Sequence, residues 1–248
     1  MMGYATIKSE TLQPATLQNH LSGYEAENVD VDTLRSRFET AGFPDYLTAD
    51  KFLHFLGIHR IDLHVPCLDA DTSMGKTDLE CESFLSTLEI YKFLRTIPGL
   101  ENLEIDFVAD ETGVRETNRI VGRHTISADE YINGFLYPDS VCYAFYPIDL
   151  HVMTGIEKTF HKDGIVAKVP YRALVPEKSR KILCAGRCIS SDTLANSGVR
   201  VEATCMATGQ AAGVAAAIAA KTSVDIADVP YSDLCSDLTK IGAIIPKK

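Results

Sequence analysis

The segment NSGVRVEATCMATGQAAGVAAAIAA, from Asn196 to Ala220, constrains the fold more than any other part of the chain. Its pattern is helical, yet Gly209 and Gly213 sit inside it, and alanine stands where leucine would fill a core. A glycine in a helix interior costs about 1 kcal/mol relative to alanine. A close approach of the backbone to another object would offset that. Two readings follow. The pairs Gly209/Gly213 and Ala212/Ala216 suit tight packing on a sheet or another helix. Alternatively, the free N–H groups and positive dipole end at the helix start face an electron-rich or anionic group. Both readings are compatible, on different faces of one helix. A membrane span is the poorer reading of Val201 to Ala220, because Glu202, Thr204, Thr208 and Gln210 interrupt it and its side chains are small.

The rest of the chain supplies the neighbours. DVDTLRSRFETAGFP reads as a helix capped by Asp32 and stopped by Gly42, and Thr48 caps a shorter helix. In DLECESFLSTLEIYKFLRTIPG the residues Phe84, Leu85, Leu88, Tyr91 and Leu94 fall on one helical face. LEIDFVAD alternates as a strand, RETNRIVG is a basic strand-like run, and SADE at Ser127 to Glu130 is a capping box. SVCYAFYPIDLHV is rich in β-formers, and GIEKTFHKDGIVAKVPYRAL has a hairpin pattern with its turn at HKDG. KILCAGR reads as a short buried strand leading into the Gly/Ala helix, and SDLCSDLTKIGA as a last helix capped by Ser232. Helices, antiparallel-type strands and one strand–loop–helix unit predict a mixed α/β or α+β fold of at least two layers, with a boundary near Tyr171.

The 248 residues are enough for one large or two modest domains, and the net charge of −10 disfavours nucleic-acid binding. The N-terminus has no apolar signal-peptide core. Seven scattered cysteines fit reduced thiols in the cytoplasm better than a disulfide framework. Cys184 and Cys188, if on a strand, stand about 13 Å apart, too far to share a metal ion. The spacing of His54, His59 and His64 fits no single helix face well, so no metal site is expected.

Six segments occur in an order that resembles the FAD-dependent oxidoreductase family, within the wider glutathione-reductase-like flavoproteins. They are LQPATL, GVRETNRIVGRHTISADE, YPIDLHV, VPYRALVP, KILCAGRCISS and VRVEATCMATGQAAGVAAA. The family begins with a strand–GxGxxG–helix unit that grips the FAD pyrophosphate. GxGxxG occurs nowhere in this chain. The resemblance therefore covers the substrate-binding part and the closing segment of the flavin domain. It implies a substrate-binding domain over residues 1–170 with an antiparallel or mixed sheet. Residues 171–248 would be the C-terminal strand–helix segment of a Rossmann-like FAD domain. The missing half would come from a partner chain in a cytoplasmic hetero-oligomer. A non-catalytic scaffold subunit and a truncated flavoprotein are the alternatives.

The resemblance also implies roles. Gly186 and Arg187 end the strand beneath the flavin. Ala207, Thr208, Gly209, Gln210 and Ala211 meet the pyrimidine edge of its ring, and Arg200 points toward flavin or substrate. Nearby N–H groups and the helix dipole would stabilise the negative charge of reduced flavin. On the substrate side, Arg115, Arg119 and Arg123 recur every four residues and would share a strand face able to bind carboxylate or hydroxyl groups, or simply form an ion-paired surface. His151 is the candidate acid/base group because imidazole titrates near neutrality. Asp149 lies two residues away on the same strand face, and Tyr171 and Arg172 would close the pocket at the domain junction. The chemistry implied is hydride transfer between flavin and a small polar substrate.

Overall fold

The computed structural model describes residues 3–67 and 69–247. Along the chain lie β1 (Thr6–Lys8), β2 (Asn19–Ser22), α1 (Val31–Phe38), α2 (Ala49–Gly57), α3 (Ser73–Leu94), β3 (Glu104–Val108), β4 (Asn118–Ile120), α4 (Ala128–Ile132), β5 (Ser140–Ala144), β6 (Ile148–Val152), β7 (Gly155–Thr159), β8 (Ala167–Pro170), α5 (Thr193–Val199), α6 (Glu202–Thr222) and α7 (Tyr231–Lys240). The fold is mixed α/β, and the strands form two-stranded sheets: β1–β4, β2–β3, β5–β8 and β6–β7.

The chain divides into two compact units. One comprises Met1–Thr11, Glu116–His151 and Ile156–Lys248; the other comprises Leu12–Arg115 with Val152–Gly155. These units do not follow the expected 1–170/171–248 split. β8 pairs with β5 and runs directly into a 3-10 turn at Tyr171–Leu174, so the chain on both sides of Tyr171 belongs to one unit.

The Leu12–Arg115 unit is built around Phe52, Phe55, Leu56, Ile61, Ile90, Leu94 and Leu100. Here Thr48 caps α2 as expected, its side chain accepting from the Lys51 N–H. The cap of α1 is Asp30 rather than Asp32, since Asp30 accepts from the Thr33 N–H. α3 turns a different face inward from the one its apolar residues predict. Leu79, Ser83, Thr87, Ile90 and Leu94 are buried, while Phe84 and Leu85 are exposed. Thr87 can face the core because its hydroxyl donates to the Ser83 carbonyl one turn back.

The other unit packs β5, β8, α5, α6 and α7 around Val141, Val169, Leu174, Ile189, Val199, Ala211, Ala215 and Leu234. The SADE capping box forms, with Ser127 and Glu130 satisfying each other's backbone N–H groups at the start of α4. The hairpin expected at HKDG does not form. β7 pairs back with β6, and β8 pairs antiparallel with β5. Burial explains the choice: Ala167, Val169 and Pro170 are buried and match the buried face of β5, whereas β7 is exposed along nearly its whole length. α7 starts at Tyr231 with Pro230 at its cap position, so Ser232 lies inside the helix rather than capping it.

Two further differences bear on function. KILCAGR is not a strand; it runs into a 3-10 turn at Gly186–Cys188. The Gly/Ala segment is two helices, α5 and α6, that break at Arg200 and Val201, where Val201 takes extended backbone angles. α6 buries Thr204, Thr208, Ala211, Ala215, Ile218 and Ala219. Its opposite face, with Ala203, Met206, Gly209, Gly213, Ala216 and Ala220, is exposed. Among the described residues α6 is the one helix long and apolar enough to cross a membrane by length and composition.

Candidate functional site

β6 alternates, so Asp149 and His151 project to the same side. The His151 Nε2–H donates to Asp149 Oδ2 at 3.1 Å. A carboxylate can only accept, so this contact fixes the ring tautomer with its proton on Nε2. Asp149 is itself held in place: its N–H donates to Ser197 Oγ at 3.0 Å. Arg200, at the end of α5, donates from Nη2 to the Asp149 carbonyl at 3.1 Å and stands 3.9 Å from its carboxylate. Lys158 on β7 lies 3.8 Å from Asp149 Oδ1. The side chains of Asp149, His151 and Arg200 are 7, 11 and 13% exposed. Burial lowers the Arg200 pKa from its usual value, and the Asp149 and Glu116 carboxylates work against that. A guanidinium starts so high that it keeps its charge.

Next to this cluster the turn at Gly186 meets the start of α6. Gly186 has φ +81°, the left-handed region that favours glycine. Its N–H donates to Thr208 Oγ1 at 3.1 Å, tying the turn to the second turn of α6. The Arg187 carbonyl accepts from Asn196 Nδ2 at 3.1 Å. The Arg187 charge acts on both Arg200 and Cys205. Because KILCAGR turns at Gly186 instead of extending, the strand-based separation of about 13 Å between Cys184 and Cys188 does not apply, and the two thiols act on each other, raising the pKa of Cys184 and lowering that of Cys188. Three buried side-chain oxygens here, Asn196 Oδ1, Thr204 Oγ1 and Asp149 Oδ1, have no hydrogen-bond partner among the described residues. No cap side chain serves the first turn of α6.

The structure thus brings together His151, Asp149, Arg187, Arg200, Gly186 and the start of α6. It does not gather the rest. Thr208 and Ala211 are fully buried in the core, and the Thr208 hydroxyl bonds to the Thr204 and Cys205 carbonyls. Ala207 is half-buried. Gly209 and Gln210 are exposed, and nothing lies within 4 Å of a Cβ built on Gly209. Five consecutive residues of a helix point around its whole circumference, so they cannot present their side chains to one ligand.

The arginines expected on one face go to three places. β4 is only Asn118–Ile120. Arg115 belongs to the Leu12–Arg115 unit, where it donates to the Pro14 carbonyl and to Thr16 Oγ1. Arg119 is buried and ion-paired with buried Glu116 at 2.5 Å. Arg123 donates to the Ala227 and Ser179 carbonyls. Tyr171 is a core residue whose hydroxyl donates to the Ile226 carbonyl, and burial pushes its pKa above the usual tyrosine range. Arg172 holds Asp139 through two nitrogens, at 3.0 and 3.2 Å.

Sequence reasoning missed Lys158 and Ser197. Reading GIEKT as pairing with β6 would have found Lys158; Ser197 has no local signal, because only the packing of α5 on β6 brings it to Asp149. Among the described residues no group of three His, Cys, Asp or Glu side chains is arranged to hold a metal ion.

The arrangement offers an imidazole held against a carboxylate with two arginines nearby, a pairing that can give or take a proton. The model of a family described as FAD dependent oxidoreductase matches residues 5–238. No curated protein and no solved structure matches the chain.

Proposed function

The chain belongs to the FAD-dependent oxidoreductase family, and from that premise we propose that it forms one wall of a flavin site and carries the acid/base group of the reaction. The observation that carries this reading is the convergence of His151, Arg200 and the Gly186 turn on the start of α6. The residues present fit the ring of FAD. The exposed Gly209 gives a flat aromatic surface room to approach, whereas the unpartnered Thr204 Oγ1, on the inward side of α6, and Asn196 Oδ1, on α5, are buried. They do not fit its pyrophosphate, for which the chain has no GxGxxG. We therefore assign the dinucleotide-binding half to a second chain, in a split cytoplasmic enzyme of the glutathione-reductase-like group.

FAD supplies, when bound, the exchange of a hydride with a substrate carbon. Around that exchange the residues of this chain have separate tasks. His151 gives or takes a proton, and Asp149 orients its ring. Arg187 and Arg200 supply positive charge toward the electron-rich side of the ring. Gly209 and Gln210 are on the exposed side of α6 that it would meet, Ala207 lies elsewhere on the helix, and Thr208 and Ala211 support the helix from the core.

The test is Gly209→Leu in the flavin-bearing complex. Leucine is a better helix former than glycine, so circular dichroism should be unchanged while bound flavin absorbance falls away. Undiminished flavin occupancy in a folded variant contradicts the assignment.

A further inference from the structure

α3 presents apolar residues that its core does not take up. Phe84 and Leu85 are 47 and 58% exposed, and Cys81 beside them is an exposed free thiol. Positions three and four apart are neighbours on a helix, so Glu80, Cys81, Phe84 and Leu85 form one side of α3. That side lines a groove of about 540 Å³, completed by Leu17 and by the chain from Val108 to Asp110 at the end of β3. Sites for small organic molecules have volumes of about 300–1,000 Å³ and mostly apolar walls. All of this lining belongs to the Leu12–Arg115 unit.

The charged residues of the lining, Glu80 and Asp110, are both acidic. Glu80 is committed to structure. Its oxygens accept from the Thr112 N–H at 2.9 Å and from the Thr112 hydroxyl at 2.6 Å, and Lys76 pairs with it at 2.8 Å. Lys76 also pairs with Glu111 at 2.9 Å and donates to the Thr112 carbonyl. These contacts tie α3 to the loop after β3 and use up the Lys76 charge. The Asp110 carboxylate has no hydrogen bond or ion pair among the described residues. An anion is repelled from such a groove, and a neutral apolar molecule leaves Asp110 partly dehydrated and unpaired. We propose that the groove binds an organic cation with an apolar body, of the aryl-alkylamine class. Phe84, Leu85, Leu17 and Val108 cover the body, and Asp110 accepts from the ammonium. None of these residues belongs to the proposed flavin wall, so the assignment stands or falls apart from it.

The experiment takes the reduced full-length chain and follows alkylation of Cys81 by iodoacetamide, read by peptide mass, with 4-phenylbutylamine, 4-phenylbutanol or 4-phenylbutyrate present. The three probes share one apolar body and differ in charge. The amine should slow Cys81 alkylation saturably and at lower concentration than the alcohol, and the carboxylate should leave the rate unchanged. Asp110→Asn should raise the amine concentration for half-protection about two- to fivefold, the size expected of an exposed ion pair. Phe84→Ala should weaken protection by amine and alcohol alike. Both positions are exposed, so neither change opens the core. Equal protection by all three probes, no protection by the amine, or an unchanged half-protection concentration in Asp110→Asn overturns the proposal. So does an alkylation rate that falls with protein concentration when no probe is present, which would show a second copy of the chain covering the groove.

Discussion

Glu116 and Arg119 carry opposite charges into a space that excludes water, with side-chain exposures of 0 and 2%. Ser9 and the Ser191 carbonyl take up further guanidinium hydrogens. Removing one partner of a buried pair leaves the other charge uncompensated, which costs roughly 3–5 kcal/mol. Glu116→Ala should therefore lower the unfolding free energy obtained from urea titration by roughly 3–5 kcal/mol, and a variant as stable as the parent would show that the pair contributes little. Gly198 makes a second case: a Cβ there would sit 2.7 Å from ring atoms of Tyr131. Gly198→Ala should destabilise by about 1–3 kcal/mol through overpacking, measurable in the same titration. Neither effect was legible in the sequence. RETNRIVGR has the spacing of a one-faced basic strand, but β4 ends after Ile120, and each arginine follows its own nearest carbonyl or carboxylate. His151 beside Asp149 was legible, because a strand's period of two places them together.

Helix caps are local chemistry, so Thr48 and the Ser127/Glu130 box were readable before any tertiary contact was known. The face of α3 was not: Phe84 and Leu85 are apolar yet exposed, while Ser83 and Thr87 are buried, a choice made by packing rather than by the pattern. The capping box has a pH signature. Burial raises the Glu130 pKa, but the Ser127 N–H and the His124 ring lower it further, to a net value below its ordinary 4.5. A carboxylate with a depressed folded pKa adds stability above its unfolded pKa and loses it as pH falls through the folded one. Wild-type stability should thus decline as pH drops below 4.5, and Glu130→Gln should flatten that acid limb in denaturation measured at several pH values. In α6 the exposed glycines meet nothing within 4 Å. Gly209→Ala with Gly213→Ala should raise the thermal stability of the isolated chain, each by up to about 1 kcal/mol. No gain in melting temperature would mean that the helix is not free on that face.

At the scale of the whole molecule the mixed α/β class was readable from the order of helical and strand patterns, since each pattern reports its own element. The grouping into units was not. It depends on β5 pairing with β8 across a long connection and on segments distant in sequence joining one core. The break at Arg200–Val201 was hidden because residues compatible with a helix continue through it, and the residue that leaves helical angles, Val201, carries no local stop signal. The family match supports a flavin-linked redox function, and the proposed flavin wall with a phosphate-binding partner chain is the part of the account to test. The direct measurement is the visible spectrum of the chain purified alone with FAD added, beside that of the chain co-purified with the product of the neighbouring gene. The account predicts flavin absorbance in the complex and none on the isolated chain after desalting. A colourless complex in the presence of FAD, or stoichiometric flavin on the isolated chain, would contradict it.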